Sequence, residues 1–194
     1  MKTLNYYELN ADEFVTQTQM LPFAGVQNRF LMRLPQGGHI LDFGCGSGRD
    51  TRAFLRQGFQ VTAVDGSAKM CRLASEFTGI PVKQMRFQEL DDKNVYDGIW
   101  ACASILHLPK NELPGVMVRM REALKDHGLI YTSFKYGDFE GWIGERYFTY
   151  FTWKSFRDMI AGIKGLEIEE IWLTPDSRPE RADQQWLNCT ISKC

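Results

Sequence analysis

Three glycines at alternate positions, Gly44, Gly46 and Gly48, are the first residues whose type and spacing could do chemistry. They follow a short apolar segment, residues 39–43, that predicts a buried strand, and they precede a segment with helical spacing. Glycine adopts backbone angles that other residues resist, and it lets a ligand lie directly against the main chain. Free amides at the start of the next helix favour a carboxylate or phosphate. We therefore expect a ligand at this loop, with a plain tight turn as the alternative.

A carboxylate at the end of the next apolar segment indicates the kind of ligand. Asp65 ends residues 61–65, a segment rich in β-branched side chains. An acid at this position of an open parallel sheet accepts hydrogen bonds from a ribose diol. Dinucleotide-binding loops have the spacing Gly-x-Gly-x-x-Gly, whereas this loop has Gly-x-Gly-x-Gly, with Asp42 two positions before it. The pattern opposes a nicotinamide dinucleotide, and a turn or helix-cap role for Asp65 is the alternative.

The glycine loop and Asp65 together resemble the class I S-adenosylmethionine (SAM)-dependent methyltransferases. The first motif of that family resembles Ile40-Leu41-Asp42-Phe43-Gly44-Cys45-Gly46-Ser47-Gly48-Arg49. The resemblance covers about residues 38–135, in the order and spacing of the family. It implies SAM as the cofactor and an in-line transfer of the SAM methyl group. The compact glycine loop and the short chain look most like the tellurite-resistance-type and small-molecule methyltransferases.

The same resemblance implies a set of cofactor-binding residues on four loops. Asp65 would hold the ribose, while the loop after the fourth strand would line the methionine part of the cofactor. The acid usual in the family is absent from the adenine loop, where Glu89 fits best by type. A core position for Met70 and a solvated turn for Glu89 are the alternatives. The predicted residues are Asp42, Gly44, Cys45, Gly46, Ser47, Gly48, Arg49, Asp65, Gly66, Ser67, Met70, Gln88, Glu89, Leu90, Ala103 and Ser104.

Two residues, His107 and Tyr136, are candidate general bases. His107 follows the predicted fourth strand, and Tyr136 follows the fifth, so both are expected near the acceptor. A thiolate or chalcogen oxyanion acceptor would need no base, whereas a hydroxyl or ammonium acceptor would. Local packing is the alternative role for His107.

Three further segments are candidates for the walls of the site. The aromatic residues at 142–153 would line an acceptor pocket or pack as a loop core. Arg178 and Arg181 would point to that pocket or form surface ion pairs. At the N-terminus, Tyr6, Tyr7 and Phe14 would close over the cofactor, as the resemblance implies.

Strands and helices must alternate along the chain to position these loops. Apolar segments predict strands at 39–43, 59–64, 82–87, 95–103, 128–135, 166–173 and 186–192. Helical spacing predicts helices at 10–20, 25–34, 48–57, 67–77, 109–124 and 152–163. This order predicts an α/β protein with a mostly parallel sheet and helices on both faces. The resemblance makes it the three-layer Rossmann-like methyltransferase fold, with seven strands and an antiparallel last strand.

Length and composition predict one globular domain over residues 1–194, with 44% apolar and 24% charged residues. We expect a helical cap at 1–35, a cofactor-binding half at 36–135 and an acceptor-side half at 136–194. A net charge of −1 argues against nucleic-acid and anionic-membrane partners. No apolar segment approaches the roughly 20 residues of a membrane span, and no secretory signal is recognisable, so a cytoplasmic location is expected. The scattered cysteines and histidines predict neither disulfides nor a bound metal.

These observations predict a small-molecule methyltransferase that acts as a monomer or homodimer. Three alternatives stay open: a non-catalytic SAM-binding sensor or subunit, an NAD(P)-dependent oxidoreductase and a nucleic-acid methyltransferase. The glycine spacing opposes the second. Two observations oppose a nucleic-acid methyltransferase: the net charge is slightly negative, and the sequence has neither an Asn/Asp-Pro-Pro-aromatic motif nor a Pro-Cys dipeptide.

Overall fold

A seven-stranded sheet forms the centre of the molecule in the computed structural model, which describes residues 2–178, 181 and 183–194. The strands lie in the order β3-β2-β1-β4-β5-β9-β8. The first five are parallel, and β9 runs antiparallel to both of its neighbours. The sheet strands are β1 (His39–Phe43), β2 (Gln60–Asp65), β3 (Val82–Gln84), β4 (Tyr96–Ala101), β5 (Leu124–Lys135), β8 (Leu166–Pro175) and β9 (Gln185–Lys193).

Helices cover both faces of this sheet because successive strand residues point to opposite sides. Ile40 and Trp100 pack with Phe54 on one face of the sheet. Leu41 and Ile99 point to the other face, where they pack in a cluster with the helix at 113–123. The described helices are α1 (Lys2–Leu9), α2 (Ala11–Thr18), α3 (Ala24–Leu31), α4 (Arg49–Arg56), α5 (Ala68–Thr78), α6 (Leu113–Ala123) and α7 (Trp153–Ala161). The predicted α/β fold class is therefore confirmed, including the antiparallel last strand.

Strand order decides where a ligand can bind. The chain leaves β1 toward β2 and β3 on one side, and later returns to β4 and β5 on the other. The loops that follow β1 and β4 therefore diverge and leave a crevice beyond the carboxyl ends of these strands. All four predicted cofactor loops lie at this edge.

Several predicted boundaries were wrong for identifiable physical reasons. The helix predicted from residue 109 begins at Leu113, because a longer helix would enclose Pro114 in its interior, whereas a proline is tolerated in the first turn. The third strand ends at Gln84, because residues 87–89 form a 3-10 turn in which the Glu89 carboxylate accepts the Arg86 N–H. The helix predicted from residue 67 begins there as expected, since Ser67 is its N-cap and the Ser67 hydroxyl accepts the Met70 N–H.

Two elements were not predicted. The separate helix α1 precedes α2, and a hairpin of β6 (Glu140–Ile143) and β7 (Arg146–Thr149) occupies part of the aromatic segment. Both elements lie over the carboxyl edge of the sheet and contribute walls to the site described below. No helix within the described ranges is long and apolar enough to cross a bilayer.

Candidate active site

A cavity of about 730 Å³ lies beyond the carboxyl ends of β1, β2, β4 and β5. This volume is typical of sites for small molecules and cofactors. Most of the predicted cofactor-binding residues line it: Gly44, Cys45, Gly46, Ser47, Arg49, Asp65, Gly66, Met70, Gln88, Glu89, Ala103 and Ser104. The described wall does not include Asp42, Gly48, Ser67 or Leu90, which lie behind it.

The glycine loop is held tightly between β2 and the loop after β4. The N–H groups of Gly44 and Cys45 both donate to the Val64 carbonyl at 2.9 Å. Gly44 has a φ of +88°, and a Cβ there would lie 2.5 Å from the Cβ of Ser104, so only glycine fits. Ser104 is fixed in turn, because its hydroxyl donates to the Phe43 carbonyl at 2.6 Å. The loop is therefore shaped before any ligand arrives.

Asp65 is fixed on the cavity wall by backbone donors. Its carboxylate accepts the N–H of Gly46 at 3.0 Å and the N–H of Ser67 at 2.9 Å. Burial raises the pKa of Asp65, and these N–H donors act in the opposite direction by stabilising the charged form. The geometry directs a carboxylate into the cavity beside the glycine loop, where a diol could bind to it.

An ion pair forms the floor of the cavity below the glycine loop. The guanidinium of Arg49 donates to both oxygens of Asp50, at 2.8 and 2.9 Å, and it stacks over the ring of Phe23. Asp50 also accepts the indole N–H of Trp100 and the amide of Gln27. Although burial alone would raise it, the pKa of Asp50 is lowered by Arg49 and these donors. Each oxygen of the Asp50 carboxylate therefore accepts two hydrogen bonds within the protein.

Asp42 lies behind this ion pair instead of in the cavity. It is buried and accepts the Thr51 hydroxyl at 2.6 Å. Burial and the nearby Asp50 charge raise its pKa to about 8. Its position predicts a structural role at the start of α4, behind the glycine loop.

The loop after β3 contributes apolar side chains that sequence reasoning overlooked. Met85 and Phe87 line the cavity beside Met70, and Phe87 packs edge-on against Phe43. Glu89 is exposed, and its carboxylate bonds locally to the Arg86 N–H. Leu90 is buried in the main core. The apolar surface formed by Met85 and Phe87 suits a purine ring. The sequence signal for these two lining residues was their alternation with the exposed, charged Arg86.

The loop after β4 contains a strained residue at the cavity wall. Ala103 has a φ of +49°, a region that residues other than glycine rarely adopt. Its N–H donates to the Ser133 hydroxyl of β5 at 2.9 Å, which stabilises this conformation. Strain of this kind clusters at binding sites.

The candidate base His107 lines the cavity and is hydrogen-bonded at both ring nitrogens. Its Nδ1 donates to the Tyr147 carbonyl at 2.6 Å, and its Nε2 accepts from the Tyr7 hydroxyl at 2.8 Å. Burial lowers the pKa of His107 to about 4. The imidazole is therefore neutral near pH 7, and it must release Tyr7 before it can accept another proton at Nε2.

The second candidate base, Tyr136, is not part of the described cavity wall. It pairs with Phe151 and packs against the main core. The neighbouring Lys135 faces the cavity instead, because successive residues of β5 point to opposite faces.

The acceptor end of the cavity combines aromatic and cationic side chains. Trp142, Tyr147 and Phe148 of the aromatic segment line it, while Phe151 belongs to the core, so both predicted roles occur. Arg178 and Arg181 also line it, as predicted, whereas residues 179, 180 and 182 lie outside the described residues. Tyr7 and Phe14 cover the opposite side from α1 and α2.

The cofactor-side half of the chain matches a known family. Residues 40–128 match the family model described as a methyltransferase domain. The chain is also similar to ubiquinone biosynthesis O-methyltransferase from Paramagnetospirillum magneticum, with 33% identity over 84 residues. That match covers 41% of this chain and 34% of the relative, so the chain aligns with about a third of its length.

Solved structures share the fold over nearly the whole chain. The Burkholderia thailandensis 1,6-didemethyltoxoflavin-N1-methyltransferase, crystallised with 1,6-didemethyltoxoflavin and S-adenosylhomocysteine, has a TM-score of 0.79 at 22% identity. The match covers 99% of this chain and 87% of that one. A SAM-dependent methyltransferase from Mesorhizobium loti has a TM-score of 0.69 at 18% identity, over 86% of this chain and 96% of that one. Residues 40–128 thus match a methyltransferase domain, and the glycine loop, Asp65 and the shared fold agree with the class I SAM-dependent methyltransferases.

Proposed function

We propose that this protein binds SAM in the cavity and transfers its methyl group to a small-molecule acceptor. The observation that carries the proposal is the hydrogen bond between the Asp65 carboxylate and the Gly46 N–H at the cavity wall. This bond joins Asp65, the residue predicted to bind the ribose, to the glycine loop that is predicted to bind the cofactor. When bound, SAM supplies a methyl group activated by a positively charged sulfur.

The described residues fit such a cofactor. Asp65 offers a carboxylate to the ribose hydroxyls, and the apolar side chains of Met85 and Phe87 offer a surface to the adenine. Ala103 and Ser104 line the cavity between this half and the acceptor end. The cavity is large enough for a cofactor together with a small second ligand.

The contribution of the protein to catalysis is mainly the placement of the two reactants. When two reactants are held in line at near-attack distance, the activation barrier of their reaction can fall by about 7–11 kcal/mol. His107 remains our candidate base for an acceptor that carries a proton, once the Tyr7 hydroxyl has released its Nε2 atom. An acceptor that is already anionic needs no such step.

A ligand panel with the purified protein tests the cofactor assignment. At about 100 times its dissociation constant, SAM should stabilise the folded state by about 2.7 kcal/mol. For a chain of this length that raises the melting temperature by about 5–10 °C. S-adenosylhomocysteine should act similarly, whereas NAD⁺ and NADP⁺ should not. A preference for the dinucleotides would overturn the proposal.

Transfer itself distinguishes an enzyme from a SAM-binding sensor. The protein should move label from methyl-labelled SAM into members of a panel of small phenols, thiols and carboxylates. Two of the three similar proteins, the ubiquinone biosynthesis and the didemethyltoxoflavin methyltransferases, carry small molecules in their names, which supports a small-molecule acceptor. SAM binding without any labelled product across metabolite extracts would favour the sensor. We extend the proposal to a cytoplasmic protein that works as a monomer or homodimer, which sedimentation and fractionation would test.

A further inference from the structure

We propose that the methyl acceptor is a small aromatic anion whose negative group binds Lys135 and Arg146. This inference rests on the proposed function and adds the chemical class of the acceptor. It is carried by two cations that share one aromatic wall at the acceptor end of the cavity.

Neither cation has a carboxylate partner in the described part of the chain. Lys135 Nζ lies 4.7 Å from the ring centre of Phe148, and the Arg146 guanidinium carbon lies 5.2 Å from the same centre. The two positive groups therefore lie within about 10 Å of each other, and the uncharged ring does not neutralise either of them. Both side chains are partly buried, where an uncompensated charge is unfavourable.

The nearest acid on this wall is already occupied. Asp176 accepts two bonds from the guanidinium of Arg178 and one from the Trp186 indole. These donors lower the pKa of Asp176 to about 2. Burial lowers the pKa of Lys135, and the positive charges of Arg181, Arg146 and Arg178 lower it further. Positive charge at this end therefore exceeds negative charge, and an anionic ligand would relieve the repulsion.

The cofactor carboxylate is not the natural ligand of these cations. Lys135 ends β5, and β4 separates β5 from β1, which carries the glycine loop. Two strand spacings correspond to about 10 Å at the sheet edge. The strained loop at Ala103 lies between them, where the reactive sulfur is expected. An anion at Lys135 therefore belongs to the acceptor side.

The walls around the two cations favour a planar ring. Trp142, Tyr147, Phe148 and Trp186 line this end of the cavity. Aromatic side chains bind flat rings by stacked or edge-on contacts, and these contacts do not require a specific hydrogen-bond pattern. A ring that carries a carboxylate or phenolate satisfies both the walls and the cations.

Paired probes that differ only in charge test the proposal. Calorimetry on protein saturated with S-adenosylhomocysteine should show 4-hydroxybenzoate binding at least about tenfold tighter than 4-hydroxybenzamide, as expected for charge-assisted contacts. Lys135→Met and Arg146→Met should each weaken the binding of 4-hydroxybenzoate about tenfold and leave the affinity for 4-hydroxybenzamide unchanged. Lys135→Arg should retain the preference.

Matched controls separate this proposal from the proposed function. Lys110→Met removes a cation that also lies over an aromatic ring, that of Phe151, but outside the cavity wall, and it should change neither probe. SAM affinity should stay within about twofold in every folded variant, with folding checked by the melting temperature.

If the Met variants lost SAM binding instead, the cations would serve the cofactor, and this inference alone would fail. Equal binding of the two probes, or binding of neither at about 10 mM, would also overturn it. Failure of the wild-type protein to bind SAM would overturn the proposed function.

Discussion

The hydroxyl of Tyr7 in α1 donates to Nε2 of His107, across 100 residues of sequence. Because the Tyr147 carbonyl can only accept, the ring proton of His107 lies on Nδ1, and Nε2 is the acceptor. The two contacts fix one neutral tautomer. They also attach the N-terminal helix to the wall of the cavity, where Leu4 packs against Gly66 and Glu8 accepts the Ser67 hydroxyl.

We predict that Tyr7→Phe loosens α1 without unfolding the sheet. The change leaves Nε2 of His107 without its donor, which costs about 1–3 kcal/mol. An eight-residue helix is unstable without such contacts. Hydrogen exchange of α1 amides should accelerate by roughly tenfold or more, while β4 amides keep wild-type rates. Tyr6→Phe is the control, because no described residue bonds to its hydroxyl, and equal exchange in both variants would contradict the prediction.

Lowering the pH should destabilise the protein through His107. Its folded-state pKa of about 4 lies below the unfolded value of about 6.5. The stability contributed by the neutral ring is therefore complete above pH 6.5 and is lost as the pH falls toward 4. Between pH 7 and 5 the wild type should lose about 1–2 kcal/mol more than His107→Gln, measured by urea unfolding. Parallel losses in the two proteins would contradict the shifted pKa.

Removal of the Asp65 carboxylate should weaken SAM binding at least about hundredfold. The variant Asp65→Ala loses two charge-assisted bonds to the ribose, each worth about 1.5–3 kcal/mol. Asp97→Ala is a matched control, because Asp97 also accepts a backbone N–H, that of His39, but lies at the opposite end of the sheet. Calorimetric titration would measure both. Wild-type affinity in Asp65→Ala would refute the ribose assignment.

A side chain on the glycine loop should block the cofactor. Gly46 has a φ of +52° and lines the cavity, so Gly46→Val adds both strain and bulk where the ligand approaches. SAM binding should become undetectable by calorimetry. Gly58→Val carries comparable backbone strain at a φ of +85° with open space around it, and it should reduce stability but retain SAM binding. Loss of SAM binding in both variants would mean that strain alone explains the effect.

The half of the fold around the glycine loop was predictable because its information is local. The glycine spacing, the acid that ends β2 and the cap of α5 by Ser67 each depend on neighbouring residues. The acceptor half was less predictable, because its walls come from distant segments. Arg146 sits in a hairpin that has no strong strand signal, and only the strand alternation of β5 distinguishes Lys135, which faces the cavity, from Tyr136.

By itself the sequence determined the α/β architecture and the glycine loop and predicted the methyltransferase family, since periodicity, turn residues and strand-end acids act over a few positions. Only the tertiary structure decided that Asp42 lies behind the cavity wall and that the Tyr7 hydroxyl is hydrogen-bonded to His107. The same is true of the contact that Lys135 and Arg146 both make with the ring of Phe148. Burial and charge balance depend on which segments pack together, and the order of strands in the sheet sets that packing.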